Sequence, residues 1–342
     1  MRTSCRILVV ALCVAAVLAA PGCQRTPSPP VSAPPKAPAA VPATGPTAKA
    51  AGGGQVVLAY SISCVSHQFF VDMLAGVKDE ARKQGAKLVT ADAGTDPNRQ
   101  LSDVENLLQK NPAAMMITPQ DSDAIKTAVE ACNAKGVPVV IIDIGASGGE
   151  VASFIISDNL AGGKMAGEYI AQHLKPGRRV VHIQCQLGAA NARKRGEGFT
   201  AVMKEKGISI IPPQPADSLR DKAMTVMENF LQANKDIGAV FAENDPMAVG
   251  AAIAAENAGR LGEMLVVGFN GDVEALDLIR SGKMAATIMQ FPYDMGVAGV
   301  QQAVKLAHGE TAQKQLDVPV ELVTKDNLNQ FEGYRRKTGT AS

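Results

Sequence analysis

From Gln55 onward, short apolar runs alternate with amphipathic stretches of helical length, and this alternation leaves the chain few ways to fold. The runs are VVLAY (56–60), AKLVTA (86–91), AAMMIT (113–118), VPVVIID (137–143), SFIIS (153–157), RRVVHIQ (178–184), ISIIP (208–212), IGAVFAE (237–243), EMLVVGF (263–269) and AATIMQ (285–290). Between them lie helix candidates with start signals. Asp96 stands before Pro97, and Asp245 before Pro246, each pair offering a cap and a first-turn proline; Gly259 can stop the second helix. Strand and helix in turn give an α/β class, with parallel sheets covered on both faces.

That number of strands is too large for one comfortable open sheet in this length, and the chain is similar to itself. VPVVIIDIG resembles EMLVVGFNG, and AAMMITPQDSDA resembles IGAVFAENDPMA. The economical reading is two similar lobes, each a doubly wound parallel sheet. Ligands of such sheets bind outside the carboxyl ends of the strands. The polar residues at those ends are Ser63, Gln120, Asp143, Gln184, Asn244, Asn270 and Gln290. Asp143 stands out, because it ends the apolar run Val139–Ile142 on a carboxylate. An aspartate there suits a turn; it also suits a ligand.

The first residues read differently. Arg2 and Arg6 precede an apolar stretch from Ile7 to Ala20, which marks residues 1–22 as an export signal. It ends in AAPGC, so Cys23 is a candidate for lipidation, although Ala20 stands where such signals usually carry leucine. Residues 23–54 are rich in Pro, Ala and Gly and read as an extended spacer. Removing residues 1–22 takes away Arg2 and Arg6 and no acid, leaving 32 of the 34 basic residues against 33 acidic ones. With no basic block, nucleic acid is not an expected partner. Cys64, Cys132 and Cys185 cannot all pair within the chain, and reduced thiols are expected.

The body from about Gln55 to Val323 resembles the periplasmic ribose-binding proteins of the sugar ABC-transport family. The segments that carry the resemblance are FFVDMLAGVKDEARKQG, PQDSDAI, ISDNLAGGKMAGEYI, ARKRGEGF, PADSLRDKA, FAENDPMAVGA, VVGFNG and AATIMQFP. It implies a type I periplasmic binding fold, two lobes joined by a three-segment hinge. One lobe comprises residues 55–157 with 291–319, the other 158–290 with 320–330. The tail, 331–342, receives no role. The resemblance also implies a ligand shell of Ser63, His67, Phe69, Phe70, Asp143, Arg193, Ser218, Asn244, Asn270 and Gln290.

Several of these depart from the ribose binders. His67 stands for an asparagine, Ser218 for an aromatic residue and Asn270 for an aspartate, while Ile144 replaces an arginine. The expected ligand is therefore a small neutral monosaccharide or polyol other than ribose. In this reading Asp143 accepts hydroxyl hydrogens in charge-assisted bonds, and Arg193 is its positive partner. Lys194 and Arg195 are read as solvated neighbours. Asp245 is assigned to helix capping and Asn244 to the ligand. His67 is expected to make affinity vary between about pH 6 and 8.

Cys64 with His67, and His182 with Cys185, invite a metal reading. It is set aside because HIQC lies on a strand and its outlet, where a spacing of three sends the side chains of His182 and Cys185 to opposite faces. No nucleophile and base set or phosphate loop supports an enzyme, and no cofactor is expected. The partners implied are an ABC permease and, through Cys23 alone, a membrane. A monomeric, lipid-anchored, extracytoplasmic importer receptor is the leading reading. The alternative is a sensing module that shows its sugar-bound surface to a chemoreceptor or sensor kinase.

Overall fold

The computed structural model describes residues 55–337. The segments expected to be an export signal and a spacer, and Cys23 between them, lie outside the described residues. In chain order the first half forms β1 (Val57–Ile62), α1 (Gln68–Lys83), β2 (Lys87–Asp92), α2 (Pro97–Leu108), β3 (Ala114–Ile117), α3 (Lys126–Ala134), β4 (Val139–Ile142) and β5 (Ser153–Ser157). Then follow α4 (Asn159–His173), β6 (Arg179–Gln184), α5 (Ala190–Glu205), β7 (Ile210–Pro215), α6 (Arg220–Ala233), β8 (Ile237–Ala242), α7 (Asp245–Asn257), β9 (Leu265–Asn270), α8 (Val273–Arg280) and β10 (Ala286–Met289). The last elements are α9 (Pro292–Ala307), β11 (Gln315–Val318), β12 (Glu321–Thr324) and α10 (Leu328–Lys337).

The strands build two sheets, ordered β11-β5-β4-β3-β1-β2 and β12-β10-β9-β8-β6-β7. Every pairing is parallel except β10 with β12. Apolar clusters fill both faces of each sheet, which is why the central strands read as unbroken apolar runs. The two sheets wind alike, and each reverses direction once, beside β1 in the first lobe and beside β6 in the second. Those reversals open crevices at the carboxyl ends of the strands.

The chain passes between the sheets three times: from β5 to α4, from β10 to α9, and from β11 to β12. Helix α9 returns to pack on α1, β3, β4 and β5 of the first lobe. The apolar runs anticipated β1 to β10. Strands β11 and β12 are absent from the apolar runs because QLDV and ELVT are short and half polar. The C-terminal tail has structure as well. Helix α10 rests on α8 and β12, Phe331 and Tyr334 pack against the second-lobe core, and the Tyr334 ring meets Phe291 edge-on with centroids 5.0 Å apart.

One helix contact decides where a site residue sits. Helices α4 and α5 cross so closely that a Cβ on Gly163 would lie 2.0 Å from the Arg195 carbonyl oxygen. A Cβ on Gly198 would lie 2.2 Å from the Leu160 carbonyl oxygen. Only glycine lets the two backbones approach so nearly, and that approach presses the first turns of α5 onto the start of α4.

Candidate functional site

The carboxyl ends of the two sheets enclose a cavity of about 240 Å³ between the lobes. Strand β4 ends at Asp143, whose backbone turns into the left-handed region at φ 69°. Its N–H is held by the Ile155 carbonyl at 2.8 Å. The side chain is 2% exposed. Oδ2 accepts from Asn191 Nδ2 at 3.1 Å, and Oδ1 is buried with no hydrogen-bond partner among the described residues. Burial pushes the carboxyl above its ordinary range, opposed by the charge of Arg195 and the Asn191 bond.

The arginine that faces this carboxylate's cavity is Arg195, which corrects the expectation. Arg193 is exposed, does not line the cavity, and donates from Nη1 to the Leu187 carbonyl at 2.6 Å. Arg195 is 4% exposed and lines the cavity. Its Nε donates to Asn159 Oδ1 at 2.8 Å, Nη1 to the Glu243 carbonyl at 2.8 Å, and Nη2 to Gln290 Oε1 at 3.3 Å. The guanidinium carbon lies 3.9 Å from the centroid of the Phe269 ring, a stacked cation. Helical phase explains the exchange. Asn191, Arg195 and Phe199 follow one another at intervals of four and share the buried face of α5, whereas Arg193 falls on the solvent side.

The rest of the expected shell divides. Asn270 and Gln290 line the cavity, joined by Gln290 Nε2 donating to Asn270 Oδ1 at 2.9 Å. Ser218, at φ 64°, lines it too and donates its hydroxyl to Gln186 Oε1. Phe69 and Phe70 both border the cavity. Phe69 belongs to the first-lobe core, and the half-buried Phe70 meets it edge-on at 5.3 Å. The His67 ring stacks on Phe70 at 6.1 Å, and burial lowers its pKa. Its titration is thereby moved down from that of an unperturbed imidazole, away from the upper part of the expected window. Ser63 is buried behind the wall and gives its hydroxyl to Gln120, which lines the cavity in its place.

The capping assignment reverses. Asn244 caps α7 with Oδ1, accepting from the Met247 N–H at 3.0 Å, while its Nδ2 reaches the Ser218 carbonyl at 3.4 Å. Asp245 instead turns inward and binds the Asp272 N–H and the Thr287 hydroxyl. Asn244 still lines the cavity. Gln186 and Asn191 also line it and were not expected; the i and i+4 relation of Asn191 to an inward arginine is the signal that could have found it. His182 lies in the second-lobe core, bonded to Glu243 Oε1 at 2.9 Å and packed on Phe199 and Phe241. Cys185 faces the cavity, and burial with the nearby Glu243 charge pushes its thiol up to about 12. Cys64 borders the cavity from the first lobe, and Cys64, Cys132 and Cys185 are free thiols.

Two like-wound lobes closing a polar cavity at their switch points define a class, the solute-binding receptors of the periplasmic type. The chain belongs to that family: the model described as a periplasmic binding protein domain matches residues 58–311. Within it, this is a ribose-binding-like solute-binding protein of the sugar ABC importers, a transport receptor rather than an enzyme. It is 41% identical over 280 residues to the ribose import binding protein of Bacillus subtilis, covering 81% of this chain and 91% of that one. It is 34% identical over 257 residues to the D-allose-binding periplasmic protein of Escherichia coli, covering 72% and 83%. Among solved structures, an ABC transporter solute-binding protein of Bacillus halodurans with bound myo-inositol superposes with a TM-score of 0.78 at 30% identity, covering 82% of this chain and 98% of that one. The family is extracytoplasmic, and no helix among the described residues is long and apolar enough to cross a membrane.

Two outcomes follow from this geometry. Arg195→Ala should weaken ligand binding by about 2–5 kcal/mol, since it strips a buried carboxylate of its countercharge. Arg193→Ala should stay within about 0.5 kcal/mol of the parent. Isothermal titration of both variants decides which arginine serves the cleft. The second outcome concerns stability without ligand. Because the Asp143 carboxyl titrates above its unfolded value, its contribution is fully present below that unfolded value and is lost as pH rises through the folded one. In urea unfolding across a pH series, the parent should lose stability relative to Asp143→Asn over that window, by at most about 1.4 kcal/mol per pH unit. A pH-independent difference would contradict the raised titration.

Proposed function

We propose that the cleft closes on one small neutral monosaccharide or polyol other than ribose and delivers it to the permease of an ABC importer. The observation that carries this reading is the buried, unpartnered Oδ1 of Asp143 in a cavity whose other buried charge is Arg195. One carboxylate and one guanidinium cancel. An anionic ligand would need a surplus cation and a cationic one a surplus anion, each desolvated at large cost. The remaining polar wall consists of the amides of Gln120, Gln186, Asn191, Asn244, Asn270 and Gln290, the hydroxyls of Ser218 and Thr95, the His67 ring and the exposed Asp217, whose charge is met by Lys222. Such groups match the mixed donor and acceptor character of sugar hydroxyls. The small cavity and the Phe70 ring beside it suit a single ring. Ribose is disfavoured because Ile144 and Ser218 replace a guanidinium and an aromatic wall of the ribose binders; the relatives in the family include ribose import binding proteins as well as a D-allose-binding protein and a receptor with bound myo-inositol.

A thermal-shift screen followed by calorimetry checks the ligand class. The panel comprises D-ribose, D-allose, D-arabinose, myo-inositol, a sugar acid and a sugar phosphate. A neutral member should bind in the micromolar range or tighter. Tight binding of only the acid or phosphate overturns the neutral reading, and micromolar ribose binding overturns the exclusion of ribose.

The receptor is further proposed to work as a monomer tethered through a lipid on Cys23, with residues 24–54 as the spacer. The support is the export signal ending in AAPGC and the spacer's composition. Cys23→Ala should move the protein from the membrane fraction to the soluble fraction of an expressing cell, where light scattering should report the mass of one chain. A variant that stays with the membrane would overturn the anchor.

A further inference from the structure

Asn191 lies in the first turn of α5, on the second lobe, and is 5% exposed. Its Nδ2 crosses the cleft to Asp143 Oδ2 of the first lobe at 3.1 Å. Its own Oδ1 accepts from the Ala192 N–H at 2.8 Å, which orients the amide so that the NH2 faces the carboxylate. The helix itself does not require asparagine here, because the cap position is Ala189 and the side chain of Asn191 closes no earlier turn.

A seam between the lobes brings this amide into place. The Ser122 N–H of the first lobe donates to the Gly188 carbonyl at 3.2 Å, and the Ala190 N–H donates back to Ser122 Oγ at 3.2 Å. A Cβ on Gly188 would lie 1.8 Å from Asp121 Oδ2, so a side chain there would have to displace that carboxylate. The start of α5 is thereby pinned to the first lobe through Gly188 and Ala190, three residues and one residue before Asn191.

A carboxylate offers two oxygens and about four acceptor sites. With Oδ2 held by Asn191, Oδ1 is the carboxylate oxygen that is buried and without a partner, on a residue that lines the cavity. We propose that Asn191 is the specificity-determining residue of the cleft. It keeps Oδ2 in the ligand-bound state, so the ligand donates one hydroxyl to Oδ1 instead of spanning both oxygens with a vicinal pair. A polyol whose fit depends on such a pair would have to share Oδ2 with the amide, or displace it and leave a buried donor unpaired, and sites discriminate strongly on that basis. This inference rests on the polyol reading given above.

The test is calorimetry of the purified chain with D-ribose, D-arabinose, D-allose, myo-inositol and glycerol, for the parent, Asn191→Ala and the isosteric Asn191→Asp. Asn191→Ala frees Oδ2 and should change the ratio of dissociation constants between the parent's preferred member and at least one other by tenfold or more. Asn191→Asp replaces the donor with a second carboxylate and should weaken the preferred member at least tenfold. Thermal unfolding establishes that each variant is folded; should the alanine variant fail to fold, the isosteric variant alone decides. Binding by the parent with ratios unmoved in Asn191→Ala, or an undiminished affinity in Asn191→Asp, overturns the assignment and leaves the polyol reading standing. If no member binds the parent, the polyol reading falls and the assignment falls with it.

Discussion

Asp143 and Arg195 are buried in the same cavity from opposite lobes, and most of the surrounding structure serves to make that tolerable. An ion taken out of water costs several kcal/mol even after relaxation, and its partner's attraction offsets this only when the remaining hydrogen-bonding capacity is met. Arg195 meets it with three of its five N–H donors, through Asn159, the Glu243 carbonyl and Gln290, and with its face on Phe269. Asp143 is only half satisfied, by Asn191. The asymmetry has a functional sense. The arginine is a rigid fixture, and the carboxylate keeps one oxygen in reserve, with its pKa raised by burial as a consequence.

The partners of Arg195 also tie the site to the hinge. Asn159 begins α4 just after the first passage between the sheets, and Gln290 ends the last strand before the second. A ligand that engages the guanidinium therefore acts on side chains at two of the three crossings. The glycine contact between α4 and α5 serves the same end, since it sets the depth to which α5 sinks and so the reach of Arg195. The switch points of both sheets supply the rest of the wall from loops that follow β1, β3, β6 and β8, as open α/β sheets require.

Much of this was legible in the chain. Apolar runs of four to six residues separated by capped helices specify parallel strands because a strand buried on both faces tolerates few polar residues. Self-similarity between the halves specified two lobes, and the stop of an apolar run on Asp143 marked the cleft. The short strands β11 and β12 left no such trace, having too few apolar positions to set a period. The shell was legible by type more than by position. A positive partner for Asp143 was required, but ARKR offers three candidates, and only the phase of α5 against α4 selects Arg195. Asn244 and Asp245 are adjacent and both can cap; the pull of Thr287 and the Asp272 N–H on Asp245 assigns the cap to Asn244.

By itself the sequence determined the class of fold, the doubling into two lobes and the presence of a carboxylate at a strand end, because periodicity and composition are local properties of the chain. The tertiary structure alone decided that Arg195 faces the cavity and Arg193 the solvent, that Gln120 stands in front of Ser63, and that Asn191 reaches Asp143 from the other lobe. Each of those depends on contacts between residues 36 to 95 positions apart, such as Arg195 with Asn159, Glu243 and Gln290. Which donor meets which acceptor across that distance follows from how closely two helices can approach, and glycines at 163 and 198 settle that by the absence of a single carbon.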